Sequence, residues 1–369
     1  MVVDPASTFC PYPDCPARGQ TGQGNIGIHS RKDQRFICRQ CQQTFAATKG
    51  TAFYRLRTPA ETVSLVVTLL AHGCPLQAIV VAFGFDERTV ANGFARAGTH
   101  AQAVQAHRVE PPRELGQVPA DEIRGKQQGT LSWMTLAMTV RTRLGLAGEV
   151  SAQRNLGLIR RLLRRVRRGA ARGPMLFGTD GFRAYPRAIR EACRAPLHPG
   201  KTGRPCLRPW KNSPIAPVVK PYAHRHVVSV VRRILAGTAT QVEKLSRLSQ
   251  GDGVINTASI ERRNATFRER LAALTRKGRA LARCPSTLHH GMYLIGTVYN
   301  FCTYQDSLSL AVVGAHAPRT PAMAAAITDH RWTVHELLSF RIPLPRWTLP
   351  KRRGRRSRKL QLLVERWCS

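Results

Sequence analysis

Apolar positions change period several times along the chain, and each change marks a different kind of element. Residues 1–50 hold few large apolar side chains, in loose alternation. "TPAETVSLVVTLLAHG" then repeats at helical spacing, with Pro59 near its start and Gly73 at its end. "PLQAIVVAFGFDERTVANGFARAG" predicts a helix, a tight turn at Gly84-Phe85 and a second helix opened by Asp86. Prolines and charges in "AHRVEPPRELG" read as a linker. Beyond it "GQVPADEI" predicts a short strand ending in Asp121, and "LSWMTLAMTV" and "RTRLGLAGEV" a strand pair. In "NLGLIRRLLRRVRRG", Leu156, Ile159, Leu162, Leu163 and Val166 line one face of a basic helix. "PMLFGTDG" is an apolar strand running into Asp180, with a helix following through Tyr185–Cys193.

Residues 195–222 are Pro-rich and basic and follow neither period, so a flexible loop and an extended arm along a partner are equally open. "HRHVVSVVRRILAG" resumes as a strand. "NTASIERRNATFRERLAALTRKG", residues 256–278, sets Ile260, Phe267, Leu271 and Leu274 in an apolar stripe, with Asn256, Thr257 and Ser259 suited to cap its start. Three strands, a helix, a fourth strand and another helix is the order of a ribonuclease-H-like fold.

Charge narrows the partners. The 369 residues include 58 Lys plus Arg against 21 Asp plus Glu, a formal net charge of +37. Such an excess, mostly arginine, implies a polyanion, with nucleic acid ahead of an anionic membrane. No apolar run approaches the ~18–20 residues of a membrane span, and the first residues lack a basic-then-apolar signal pattern. The expected setting is the cytoplasm of a prokaryote, in association with the nucleoid. The final "KRRGRRSRKL" is a solvated run suited to non-specific nucleic-acid binding.

Four of the ten cysteines fall in paired spacing, Cys10-x4-Cys15 and, 22 residues on, Cys38-x2-Cys41. Four thiolates suit one tetrahedral Zn2+, and a segment so small needs the metal to fold; free thiols in a basic arm are the alternative. On the second helix of the helix-turn-helix, Arg88, Asn92 and Arg96 share a face able to read a major groove, or else a solvated polar face. On the later helix Glu261 stands among arginines with Asn264 and Arg268 beside it. A solvated Glu paired with Arg is its plain reading. Yet Asp121, Asp180 and Glu261 would converge at one edge of the inferred sheet. Carboxylates packed that closely call for Mg2+ or Mn2+, and two such ions can activate water against a phosphodiester. Alternation turns Glu122 to the other face, which makes it the fallback for Asp121.

"ADEI", "GTDGFRAYP", the Ile260-Glu261-Arg-x-Asn264 segment and the later "YNFC" resemble the Asp-Asp-Glu transposases of bacterial insertion sequences. The cysteine pairs and helix-turn-helix ahead of them narrow this to the insertion-sequence-one type. The resemblance covers residues 10 to about 305. It implies that Asp121, Asp180 and Glu261 are the catalytic metal ligands, with Asn264 and Arg268 supporting the Glu or contacting DNA.

The expected architecture is therefore multidomain. A zinc ribbon occupies 1–50 and a small all-α helix-turn-helix domain 55–105. After a linker at 106–116 comes an α/β ribonuclease-H-like catalytic domain with a mixed sheet at 117–305, interrupted at 195–222. A basic C-terminal segment fills 306–369. The expected activity is Mg2+-dependent cleavage and strand transfer at the inverted repeats of an insertion sequence, on double-stranded DNA, by a homodimer or larger assembly. The rival readings are a catalytically inactive DNA-binding regulator and another ribonuclease-H-like nuclease.

Overall fold

The strand that opens at Gly116 does not stop at Asp121. In the computed structural model, β4 (Gly116–Gln127) continues six residues beyond it. The structure describes residues 4–171, 173–197, 206–210, 213–224, 226–250, 253–276, 279–312, 315–343, 357, 358, 361 and 362. They fall into two compact units, Met1–Gly50 with Arg341–Ser369, and Thr51–Phe340. In the first, β1 (Ile26–Ser30), β2 (Arg35–Cys38) and β3 (Thr44–Ala46) form an antiparallel sheet over a small core of Phe36, Phe45 and the cysteines.

The second unit begins with α1 (Ala60–Ala71), α2 (Leu76–Phe83) and α3 (Glu87–Arg108). Gly84 (φ 66) makes the turn between α2 and α3, a left-handed conformation that favours glycine. Asp86 caps α3 by accepting from the N–H groups of Arg88 and Thr89. Val66, Leu70, Ile79 and Val90 close the three helices on one another. α3 is longer than its sequence suggests and runs through the first three residues of the expected linker. Gly98 explains part of this: a Cβ there would lie 2.5 Å from His290 Cβ, so its bare backbone admits a close helix crossing. The partner helix is α8 (Pro285–Phe301). The rest of the expected linker is tied down too, with Val109 buried and Arg113 N–H bonded to the Gly169 carbonyl. α1, α2 and α3 thus belong to the same unit as the sheet.

That sheet is mixed and four-stranded, in the order β6-β5-β4-β7. β5 (Thr130–Met138) runs antiparallel to β4 and β6 (Gly145–Ser151) antiparallel to β5, while β7 (Met175–Thr179) runs parallel to β4. On one face Ile123, Met134 and Leu136 pack with Ile260, Phe267, Met292 and Ile295. The Ile260 and Phe267 pair comes from α7 (Ala258–Arg270). α4 (Leu156–Arg168) packs on β5 and β6, burying Leu158 where the period points to Leu156; α5 (Ala184–Ala192) leans on α4.

The expected strand in "HRHVVSVVRRILAG" does not join this sheet. It yields β12 (His226–Val227) and β13 (Val231–Arg232), two-residue strands paired with β11 (Tyr222–Ala223) and β10 (Val218–Val219). The reason is that the free edge of β7 is already taken. Phe177 donates to the Pro214 carbonyl at 3.0 Å and accepts from the Ala216 N–H at 2.9 Å, so part of the Pro-rich stretch lies along it. Earlier in that stretch β8 (Arg194–Leu197) and β9 (Cys206–Pro209) form a hairpin. α6 (Ala239–Gln250), which the periodicity does not announce, packs on β4 and β7. Past α8 come a hairpin of β14 (Leu310–Val312) and β15 (Ala315–Ala317), then α9 (Pro321–Ala324) and α10 (Val334–Ser339). Apart from Ser357 and Arg358, the basic run at 351–360 lies outside the described residues. Among those residues no helix is long and apolar enough to cross a membrane.

Candidate functional site

Ala120 on β4 faces Thr179 on β7 in parallel register, so Asp121 and Asp180 follow side by side. Alternation sends Glu122 toward α5, whereas Asp180 has passed the end of its strand and is bound to neither face. Carboxylate oxygens of Asp121, Glu122 and Asp180 consequently lie within 4.8 Å of one another.

A cation is supplied by the chain itself. Arg154, in the turn between β6 and α4, donates Nε and Nη2 to Glu122 Oε2 at 3.2 and 2.8 Å, and Nη2 to Asp180 Oδ2 at 3.0 Å. Its guanidinium also lies 4.2 Å from the Phe182 ring. Burial pushes Glu122 up to about 7, the Asp180 charge adds to the rise, and Arg154 only moderates it. Arg154 is itself held above the usual arginine value, because Glu122 and Asp180 outweigh its own burial. The pair is attractive, but at the almost buried Glu122 desolvation wins. Burial likewise raises Asp121, and the charges of Asp180 and Glu261 raise it further.

Asn264, fully buried on α7, donates Nδ2 to Asp121 Oδ2 at 2.7 Å. Glu261, one turn earlier, stands close enough for its charge to act on Asp121 but outside the carboxylate group. Its Oε1 accepts from Lys220 Nζ at 2.5 Å and from the Thr257 hydroxyl at 2.7 Å. Burial works to raise Glu261, but these two bonds and the Lys220 charge outweigh it and hold it low. The structure thus brings Asp121 and Asp180 together with Glu122, and engages Glu261 with a lysine. Glu122 belongs to the group rather than standing in reserve. Arg154 and Lys220 carry no sequence signal beyond their charge, one in a strand-to-helix turn and the other in the Pro-rich stretch.

A divalent cation suits this group. Three carboxylates face one guanidinium, and the buried Asn264 Oδ1 has no donor. The cysteines form a second group, with Cys10 Sγ 3.6 Å from Cys41 Sγ and Cys15 Sγ 3.8 Å from Cys38 Sγ. Four sulfurs on a tetrahedron of 2.3 Å Zn–S bonds stand about 3.8 Å apart, so the set fits zinc with little adjustment. Asn25 Nδ2 points at Cys38 Sγ from 3.4 Å. Burial raises Cys10 and Cys15, and at Cys38 the N–H groups of Cys41 and Gln40 overcome burial and bring the thiol to about 7.

Arg88, Asn92 and Arg96 are all exposed on α3. Arg96 is partly committed, donating Nη1 to the Tyr54 carbonyl at 2.6 Å. Arg268 is half-buried and within electrostatic reach of Asp121. Asn264, also expected to meet DNA, is instead closed off by packing and serves Asp121. Compared with known protein families and with curated proteins, the chain matches none.

Proposed function

We propose that the protein is a DNA transposase of the Asp-Asp-Glu type, with a ribonuclease-H-like catalytic domain, a zinc ribbon and a helix-turn-helix that recognise the ends of its element. The observation that carries this reading is the closeness of the Asp121 and Asp180 carboxylates at the end of the Ala120–Thr179 register, with Asn264 bonded to Asp121 and Glu261 one turn earlier on the same helix. Asp121, Asp180 and either Glu122 or Glu261 would hold Mg2+ or Mn2+. When bound, such ions lower the pKa of water and stabilise the leaving oxygen of a phosphodiester. Asn264 fixes the Asp121 carboxylate in one orientation. Arg154 steadies Glu122 and Asp180 while presenting a third of its side chain to solvent, where a phosphate can reach it. The +37 charge gathers DNA, and Arg88 and Asn92 lie on an exposed helix face suited to base edges.

A second reading, a DNA-binding regulator without cleavage, is favoured by the Lys220–Glu261 ion pair, which occupies one carboxylate of the expected triad. One experiment separates the two. DNA carrying the gene with its flanking sequence is incubated with the protein and Mg2+, and strand breaks are mapped at its borders. Cleavage that Asp180→Asn abolishes, with DNA affinity retained, supports the transposase. A parent protein that binds the borders and cuts nothing with Mg2+ or Mn2+ overturns it in favour of the regulator.

A further inference from the structure

The hydrogen bonds on the two aspartates of the carboxylate group differ in charge. Asp121 accepts from the Glu122 N–H on Oδ1 at 2.8 Å and from the Asn264 amide on Oδ2 at 2.7 Å. Asp180 accepts from the Phe182 N–H on Oδ1 at 3.0 Å. These three donors are neutral, so each fixes an oxygen in place and leaves the carboxylate its charge. The fourth donor is charged. Arg154 Nη2 lies 3.0 Å from Asp180 Oδ2, and among the described residues no other cation forms an ion pair with either aspartate.

This link is also the looser of the two that Arg154 makes. Nη2 is shared, since it donates to Glu122 Oε2 at 2.8 Å as well, and Nε adds a bond to that same oxygen at 3.2 Å. The Glu122 side chain is almost wholly buried, whereas that of Asp180 is 36 % exposed and has room to turn. Two rings seat the guanidinium further, Phe182 at 4.2 Å and Trp133 at 5.4 Å. Arg154 can therefore release Asp180 without leaving its place on Glu122.

Competition follows from the charges. A divalent cation held between Asp121 and Asp180 would meet a guanidinium bonded to the same carboxylate, and like charges at that range repel. We infer that Arg154 holds the place of a divalent cation on Asp180, and gives it up when the cation binds while keeping its bonds to Glu122. The inference rests on the metal-binding part of the proposed function and not on cleavage. Arg154 is then a positioning residue, which keeps Glu122 and Asp180 together while no metal is bound.

The test uses the full chain, supplied with zinc so that Mn2+ does not fill the cysteines. Free Mn2+ is titrated against the parent, Asp180→Asn, and two neutral variants, Arg154→Met and Arg154→Gln. The Gln variant keeps a donor for Glu122 and serves if the Met variant folds poorly. Asp180→Asn should lose Mn2+, which assigns the ion to this group. Both Arg154 variants should bind Mn2+ more tightly than the parent, by roughly tenfold, the lower end of what neighbours of a metal ligand change. Thermal midpoints should follow, lying below the parent without metal and closing that gap at saturating Mn2+. A residue that only shapes the carboxylates would act in the opposite sense, its loss weakening Mn2+ binding and widening the gap. That result, or an unchanged affinity, overturns the inference and leaves the metal reading standing. Failure of every one of these proteins to bind Mn2+ removes both.

Discussion

The side-chain amide of Asn264 donates to Asp121 Oδ2 at 2.7 Å, joining α7 to β4 across 143 residues of sequence. Both groups are largely out of water, so the bond holds the carboxylate in one rotamer. Partners of this kind change metal affinity by roughly 10–100-fold when removed. Asn264→Ala should weaken Mn2+ binding by that factor, read by titration of the free ion. An unchanged Mn2+ affinity would show that Asp121 needs no such orientation.

Glu122 gives a pH signature. Its folded value, about 7, lies above the ordinary carboxyl value, so between the two the native state binds the extra proton. Its contribution to stability therefore falls as pH climbs from about 4.5 to about 7, on the order of 3 kcal/mol in all. Denaturant titrations of the metal-free protein should show this loss in the parent and a flatter profile in Glu122→Gln. Mg2+ uptake near pH 7 should release protons from the parent and fewer from the variant.

Zinc should account for most of the stability of the first unit, whose apolar core is small. Purified protein is expected to carry about one zinc per chain, and Cys38→Ser to lose it while the sheet of the second unit stays folded. Metal analysis showing full zinc in Cys38→Ser would remove Cys38 from the ligand set.

The Lys220–Glu261 bond predicts a charge effect of modest size, because Glu261 is half exposed. In Lys220→Met the Glu261 carboxyl loses its cation and should titrate at higher pH, observable by carboxyl NMR. DNA cleavage, if it occurs, should gain in Mn2+ sensitivity as Glu261 becomes free to join the acidic group. Unchanged titration would mean that Thr257 alone holds the carboxylate.

Deleting residues 351–360 should weaken binding to all DNA sequences alike, and lower the salt slope by about 0.9 for every phosphate the run neutralises. Loss of discrimination between sequences at constant slope would make that run a reader instead.

Long periodic segments were legible in the sequence, including α1, α4, α7 and the strands of the mixed sheet. The turn at Gly84 and the cap at Asp86 were legible from residue chemistry. The extent of β4 was not, because Asp121 and Glu122 interrupt the apolar run and a polar pair reads as an ending. α3 looked shorter for the opposite reason. Gly98 weakens a helix locally, and only the crossing with α8 shows why a glycine is wanted there. Asp121 and Asp180 stood out at the ends of expected strands, and the four cysteines by their spacing. Arg154 and Lys220 did not, since in a chain of 58 basic residues two more cations carry no signal until their partners are seen.

Ile215 has a consequence for how copies of the protein meet. Its flanking groups bond to Phe177 on one side, and on the other its N–H donates to Ala236 while its carbonyl accepts from Leu235. Pro214 and Pro217, which bracket it, have no N–H to offer. The outer margin of β7 is therefore sealed against strand addition, the commonest route by which sheets stack edgewise into fibres or extended dimers. A strand added to this sheet from a second copy would have to pair at β6, the opposite margin.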